Sequence, residues 1–234
     1  FDTRYRFNDT YQVEFQSVFS HTQEPNDSLL VNSKTFGENY SYTFDGESFS
    51  GNALEIEFQR NTEHWRLEAG YDHRSPTFRA ENGFVTNVSQ RRIYSQSVWI
   101  YYPNNFFSQI VGGFHTGIEP NYDGVTKAKY FVVFGNLAMP RQTRLNISYA
   151  RRPIYRFKDT ELNGTYDLRI NLNSQFSERY QFGTNIGRHV APVRFLEVPE
   201  EGRLTATGFW ARMQASDRMN IGLSYNSQKM TTMD

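Results

Sequence analysis

The residues of this sequence best placed to do chemistry are carboxylates spaced along one short stretch. Glu55 and Glu57 alternate with Leu54, Ile56 and Phe58, and Glu68 and Asp72 follow in a segment that opens with Trp65-Arg66-Leu67. In extended chain, side chains two apart share a face, so these four acids and Arg66 fall on the same sides of two neighbouring segments. Paired carboxylates could act as acid and nucleophile on a glycoside. The same residues could instead form a cross-strand ladder of ion pairs beside water, and that is the reading adopted.

Other constellations are weaker. Ser95, Ser97, His115 and Asn146 supply the residue types of a Ser-His-Asn hydrolase, but only as types. His21, His64, His73, His115 and His189 lie in separate segments without an i,i+4 pair or an HExxH run, so no metal site is expected. The chain has no cysteine, which removes thiolate ligands, disulfides and Cys nucleophiles. It has no Gly-rich phosphate loop, and no cofactor is expected. Lys+Arg and Asp+Glu are balanced at 25 each, so nothing points to nucleic acid as a partner. Arg91-Arg92 and Arg151-Arg152 read as anchors at strand ends.

The elements that must position these residues are strands. Aromatics make up 16% of 234 residues, yet mean hydropathy is −0.69, so apolar and polar residues must be finely mixed. They are mixed with period two. In residues 161–173, Leu162, Tyr166, Leu168, Ile170 and Leu172 oppose Glu161, Asn163, Asp167, Arg169 and Asn171. The same alternation predicts strands over 1–7, 11–20, 52–60, 64–73, 142–151, 179–188 and 219–227, which puts Arg144 and Arg179 on polar faces. Segments 90–102, 106–118, 125–136 and 203–215 are also strand-like, but both of their parities carry large apolar residues. This gives about twelve strands with alternately short and long connections.

Alternation does not say which way the apolar faces point. No stretch reaches the ~18–20 apolar residues of a membrane helix. The strands run to about 9–13 residues, the length of a tilted membrane strand rather than a globular one. Bulky charges recur on the polar faces, and aromatics such as Tyr101, Tyr102, Phe106 and Phe107 gather near strand ends, as in an interfacial belt. The expected fold is all-β, a transmembrane antiparallel up-and-down β-barrel with Glu55, Glu57, Arg66, Glu68, Asp72, Arg144, Asp167, Arg169 and Arg179 lining its lumen. A soluble β-sandwich or lipocalin-like binder and an outer-membrane hydrolase with a lumen-facing site are the alternatives.

Residues 65–103 carry a family resemblance. Tyr71 ends a strand, Ser75-Pro76-Thr77-Phe78 and Asn82-Gly83-Phe84 follow with the spacing Ser-Pro-x-Phe-x4-Gly-Phe, and an aromatic strand closes on Tyr102-Pro103. This resembles a family of large Gram-negative outer-membrane barrels of unknown function, whose members usually carry a preceding periplasmic domain like carbohydrate-binding module family nine. The resemblance implies a channel or membrane anchor in the bacterial outer membrane, linked to carbohydrate handling through that module, with outer-membrane lipid and other envelope proteins as partners. The module is not within these residues. The last residues, Lys229 to Asp234, lack a terminal aromatic, and strand parity puts both chain ends on the long-loop side. Residues 1–234 are therefore expected to be one segment of a larger barrel, with the N-terminal module and closing strands absent. In the Ser75–Phe84 loop, Pro76 fixes φ and Gly83 permits a left-handed turn. Phe78 and Phe84 are expected to pin the loop against the interior, with a constriction or ligand contact as the functional alternative.

Overall fold

The computed structural model describes residues 1–27, 29, 35–37, 40–41, 43–80, 88–103, 105–157, 160–193 and 197–232. Among the described residues the regular structure is fifteen strands: β1 (Asp2–Arg6), β2 (Tyr11–Gln23), β3 (Thr35–Phe36), β4 (Tyr40–Ser41), β5 (Ser48–Asn61), β6 (Trp65–Arg74), β7 (Gln90–Tyr101), β8 (Gln109–Pro120), β9 (Thr126–Met139), β10 (Thr143–Phe157), β11 (Thr160–Leu162), β12 (Thr165–Gln175), β13 (Tyr180–Pro192), β14 (Glu201–Ser216) and β15 (Met219–Thr232). Among the described residues there is no helix, and so none that could cross a membrane. The main sheet runs β1-β2-β5-β6-β7-β8-β9-β10-β12-β13-β14-β15, with β11 beside β10, while β3 and β4 pair separately. It is an up-and-down sheet, and every described register is antiparallel. It is open: β1 and β15 stand at the two ends of the order.

Each of the twelve expected segments contains strand: the eight that alternate because period-two patterning segregates the two kinds of side chain, and the other four on their β-branched and aromatic content. One was misjoined. Residues 161–173, expected as one strand, are divided between β11 and β12 at Asn163-Gly164. The cause lies opposite. Pro153, which has no N–H to give the ladder, faces the break, while the register is the same on both sides of it, Arg152 with Thr165 and Tyr155 with Leu162. Gly164 N–H turns instead to Glu201 Oε1 at 2.8 Å.

The chain divides into two compact units, Phe1–Asn61 with Glu68–Ser95 and Ile118–Lys127, and Thr62–Leu67 with Gln96–Gly117 and Ala128–Asp234. In the first, Tyr11, Val13 and Phe15 face Arg60, Phe58 and Ile56, while Gln12, Glu14 and Gln16 face Gln59, Glu57 and Glu55. In the second, Leu145, Ile147 and Tyr149 face Leu172, Ile170 and Leu168, while Arg144, Asn146 and Ser148 face Asn173, Asn171 and Arg169. Each unit thus has an apolar face and a polar face. The apolar one is largely bare: Leu223 is 66% exposed and Tyr225 61%. The β9–β10 hairpin turns through Arg141 (φ 57°) and Gln142 (φ 49°), two successive left-handed residues as in a type I′ turn.

Candidate functional site

The polar face of the first unit is densely charged. β2 and β5 set Glu14 directly opposite Glu57, a like-charge pair that Arg4 (2.8 Å from Glu14) and the Gln12 amide (2.5 Å from Glu14) relieve. The Tyr94 hydroxyl donates to Glu57 Oε2 at 2.6 Å. Arg92 Nε donates to Asp72 Oδ2 at 2.6 Å, and its guanidinium lies 4.7 Å from the Tyr94 ring centroid. Asp72 is only 6% exposed, so this ion pair is the partner its burial requires. Tyr94 can reach across because Gly70 is bare: a Cβ there would lie 2.5 Å from the ring. A cavity of about 60 Å³, lined by Gln16, Glu55, Asp72 and Arg74 among others, opens on this face.

Of the five residues expected to form an ion-pair ladder, Asp72 is the one in an ion pair among the described residues, and its cation is Arg92. Arg66 has the parity of Glu68 and Asp72 and is exposed, yet Asp72 is paired by Arg92. Arg92, read from sequence as an anchor, and Tyr94, not singled out at all, are the residues that organise the acids. The signal was parity: Arg92, Tyr94 and Gln96 alternate, but Ile93 and Trp99 on the other parity hid it.

A strap crosses the same face. Ser75 N–H donates to Asn52 O and Asn52 N–H to Ser75 Oγ, both at 2.9 Å. Thr77 Oγ1 donates to Ser50 O at 2.7 Å, and Arg79 N–H to Ser20 Oγ at 3.0 Å. The backbone of Phe78 sits so close over Gly51 that any Cβ there would collide with it. Gly51 and Phe49 share the parity of Glu55 and Glu57, which places Pro76 and Phe78 on the polar side. Phe78, Phe49 and Phe36 are buried together, and the Arg79 guanidinium caps them 4.3 Å from the Phe36 centroid. Gly83 and Phe84, the other half of the expected pin, lie outside the described residues. Near the strap, the carboxylates of Glu24, Asp45 and Glu47 come within 4.8 Å of one another. Burial, then Glu47 and Asp45, raise the Glu24 pKa above its ordinary value, with Arg79 acting the other way.

The second unit's polar face is sparser. Arg169 pairs with Asp167 two residues away on the same strand at 2.5 Å, and His189 Nδ1 is 3.6 Å from Asp167 Oδ1. Arg144 stands opposite Asn173. Arg179 lies in the turn before β13, one residue outside the strand expected to hold it, where its carbonyl accepts from Gln214 N–H at 2.8 Å. Of the hydrolase types, Ser97 and His115 do not converge. Ser97 takes the Trp65 indole N–H at 2.8 Å and shares the parity of Trp99, whose ring meets Phe114. His115, next to Phe114, points to the opposite face and meets Tyr130 at 3.3 Å. Comparison with protein-family models, with curated proteins and with solved structures gave no match.

Proposed function

We propose that the chain is the stranded membrane part of a Gram-negative outer-membrane β-barrel, acting as a channel or as a membrane anchor. The apolar face meets lipid and the polar face lines the interior. The observation that carries this reading is the pairing of face with face. Registers on both units mostly join apolar side chain to apolar and polar to polar, over strands that reach 16 residues, and large apolar side chains such as Ile56, Ile147 and Ile186 are exposed. A soluble sheet would bury those side chains against a second layer. In lipid, every strand edge needs a partner, so the edges at β1 and β15 would be covered by each other or by further strands. The resemblance of residues 65–103 agrees with the same assignment, and with lipid and envelope proteins as its surroundings. Linkage to carbohydrate handling rests on that resemblance alone.

The test is fractionation of cells making the full-length protein, with gel migration before and after heating. Recovery in the outer membrane with heat-dependent migration is expected. Ile170→Arg, on the apolar face, should cost about 2–4 kcal/mol of stability in bilayers, while Asn171→Arg, on the other face, should change it little. Recovery in the soluble fraction without detergent would overturn the assignment.

A further inference from the structure

The polar face of the second unit carries a row that the charged residues avoid. Asn136 pairs in register with Asn146, Asn146 with Asn171, Asn171 with Asn185, Asn185 with Gly208, and Gly208 with Asn226. Strands are about 4.8 Å apart, so this row of amides runs roughly 24 Å across β9, β10, β12, β13, β14 and β15. At its one glycine the side chains lean together: a Cβ on Gly208 would collide with Asn185 Oδ1 and lie 2.7 Å from Asn226 Oδ1.

A structural amide ladder would show amides bonded to one another. Among the described residues, none of these five side chains hydrogen-bonds another side chain. Their donors and acceptors face outward from the sheet, unspent. One row along the strands, Trp210 stands opposite Gly183, and its indole lies over that bare position beside Asn173 Oδ1. Trp210 is 37% exposed on the same face as the row. The Arg169–Asp167 pair lies off the row on the other side, where Arg169 is opposite Ser148 and Gly187.

We infer that this amide row and Trp210 form a binding strip for neutral saccharides. Each amide offers two donors and an acceptor without charge, which suits hydroxyl groups that both donate and accept. The indole face offers an apolar platform with a polar edge, suited to the C–H face of a sugar ring. No charged side chain stands in the row itself, so its amides offer a charged solute nothing that they do not offer a neutral one. In the proposed barrel the strip lines the interior, and the inference rests on that reading for its biological setting.

The experiment is calorimetric titration of the detergent-purified full-length protein with maltohexaose, with hexaglutamate as the charged control. Saturable binding of maltohexaose alone is expected. It should weaken at least tenfold in Trp210→Ala and in Asn185→Leu and stay unchanged in Arg169→Gln. Trp210→Phe, which keeps a ring at the site, should retain most of the binding if the Ala variant folds poorly. No maltohexaose binding, equal binding of hexaglutamate, or binding untouched in both Trp210→Ala and Asn185→Leu would overturn the inference. Failure of the membrane assignment would be read separately, from fractionation.

Discussion

The two polar faces are built from the same strand geometry and spend it differently. In the first unit, carboxylates are locked by long-range partners: Asp72 by Arg92 and Glu57 by Tyr94. A strap then covers part of the face through Ser75, Thr77 and Arg79. In the second, the described arginine–carboxylate pairs join residues close in sequence, Asp167 with Arg169 and Glu161 with Arg156, and a row of amides crosses the face. Crossed-over charges make a face rigid and selective of what may replace their partners, whereas unspent amides leave it open to solutes. Period two dictates that a polar face will exist. Whether that face is closed or available depends on which side chains reach across it.

The comparison breaks first at its strongest bond. Arg92→Met should cost about 3 kcal/mol, the lower end for stripping one partner from a buried ion pair, because Arg92 itself is partly exposed. The matching change in the second unit, Arg169→Met, should cost under about 1 kcal/mol, since that pair is solvent-facing. Urea unfolding in detergent gives both values, and equal losses would erase the distinction between the faces. Glycines sharpen it next. Gly70→Ala must displace the Tyr94 ring, and overpacking of that kind costs about 1–3 kcal/mol. At Gly187 the nearest atom to a new Cβ is 3.8 Å away, so Gly187→Ala should be neutral or stabilise by up to about 1 kcal/mol.

The smallest effect is at Glu24. Its raised pKa means that the stability it contributes is complete below the ordinary carboxylate value of 4.5 and is lost as pH rises through the raised one. Glu24→Gln should therefore raise the unfolding midpoint at pH 7 and leave it unchanged near pH 4. A variant less stable than the parent at pH 7 would contradict the repulsion from Glu47 and Asp45.

Sequence carries the strands well because each one repeats its own message: Leu168, Ile170 and Leu172 agree about which side is apolar. Single large residues on the minority face carry no such redundancy. Tyr94 and Trp210 sit among polar neighbours on strands where both parities are bulky, so alternation reads them as noise. Their glycine counterparts, Gly70 and Gly183, look in sequence like weak points of a strand and gain a role only when the neighbouring strand is in register. The misjoined 161–173 segment has the same origin, since Pro153, which disrupts its pairing, belongs to another strand. The amide row is likewise invisible along the chain, because its members are up to 90 residues apart in numbering, from Asn136 to Asn226.

The turn between β9 and β10 bends through two non-glycine residues in the left-handed region, at φ 57° and 49°. Arg141 and Gln142 each resist that conformation by about 1–2 kcal/mol, so the corner is held in shape by the β9–β10 ladder on either side of it rather than by its own residues. A glycine at either position would relieve strain that the strands now carry.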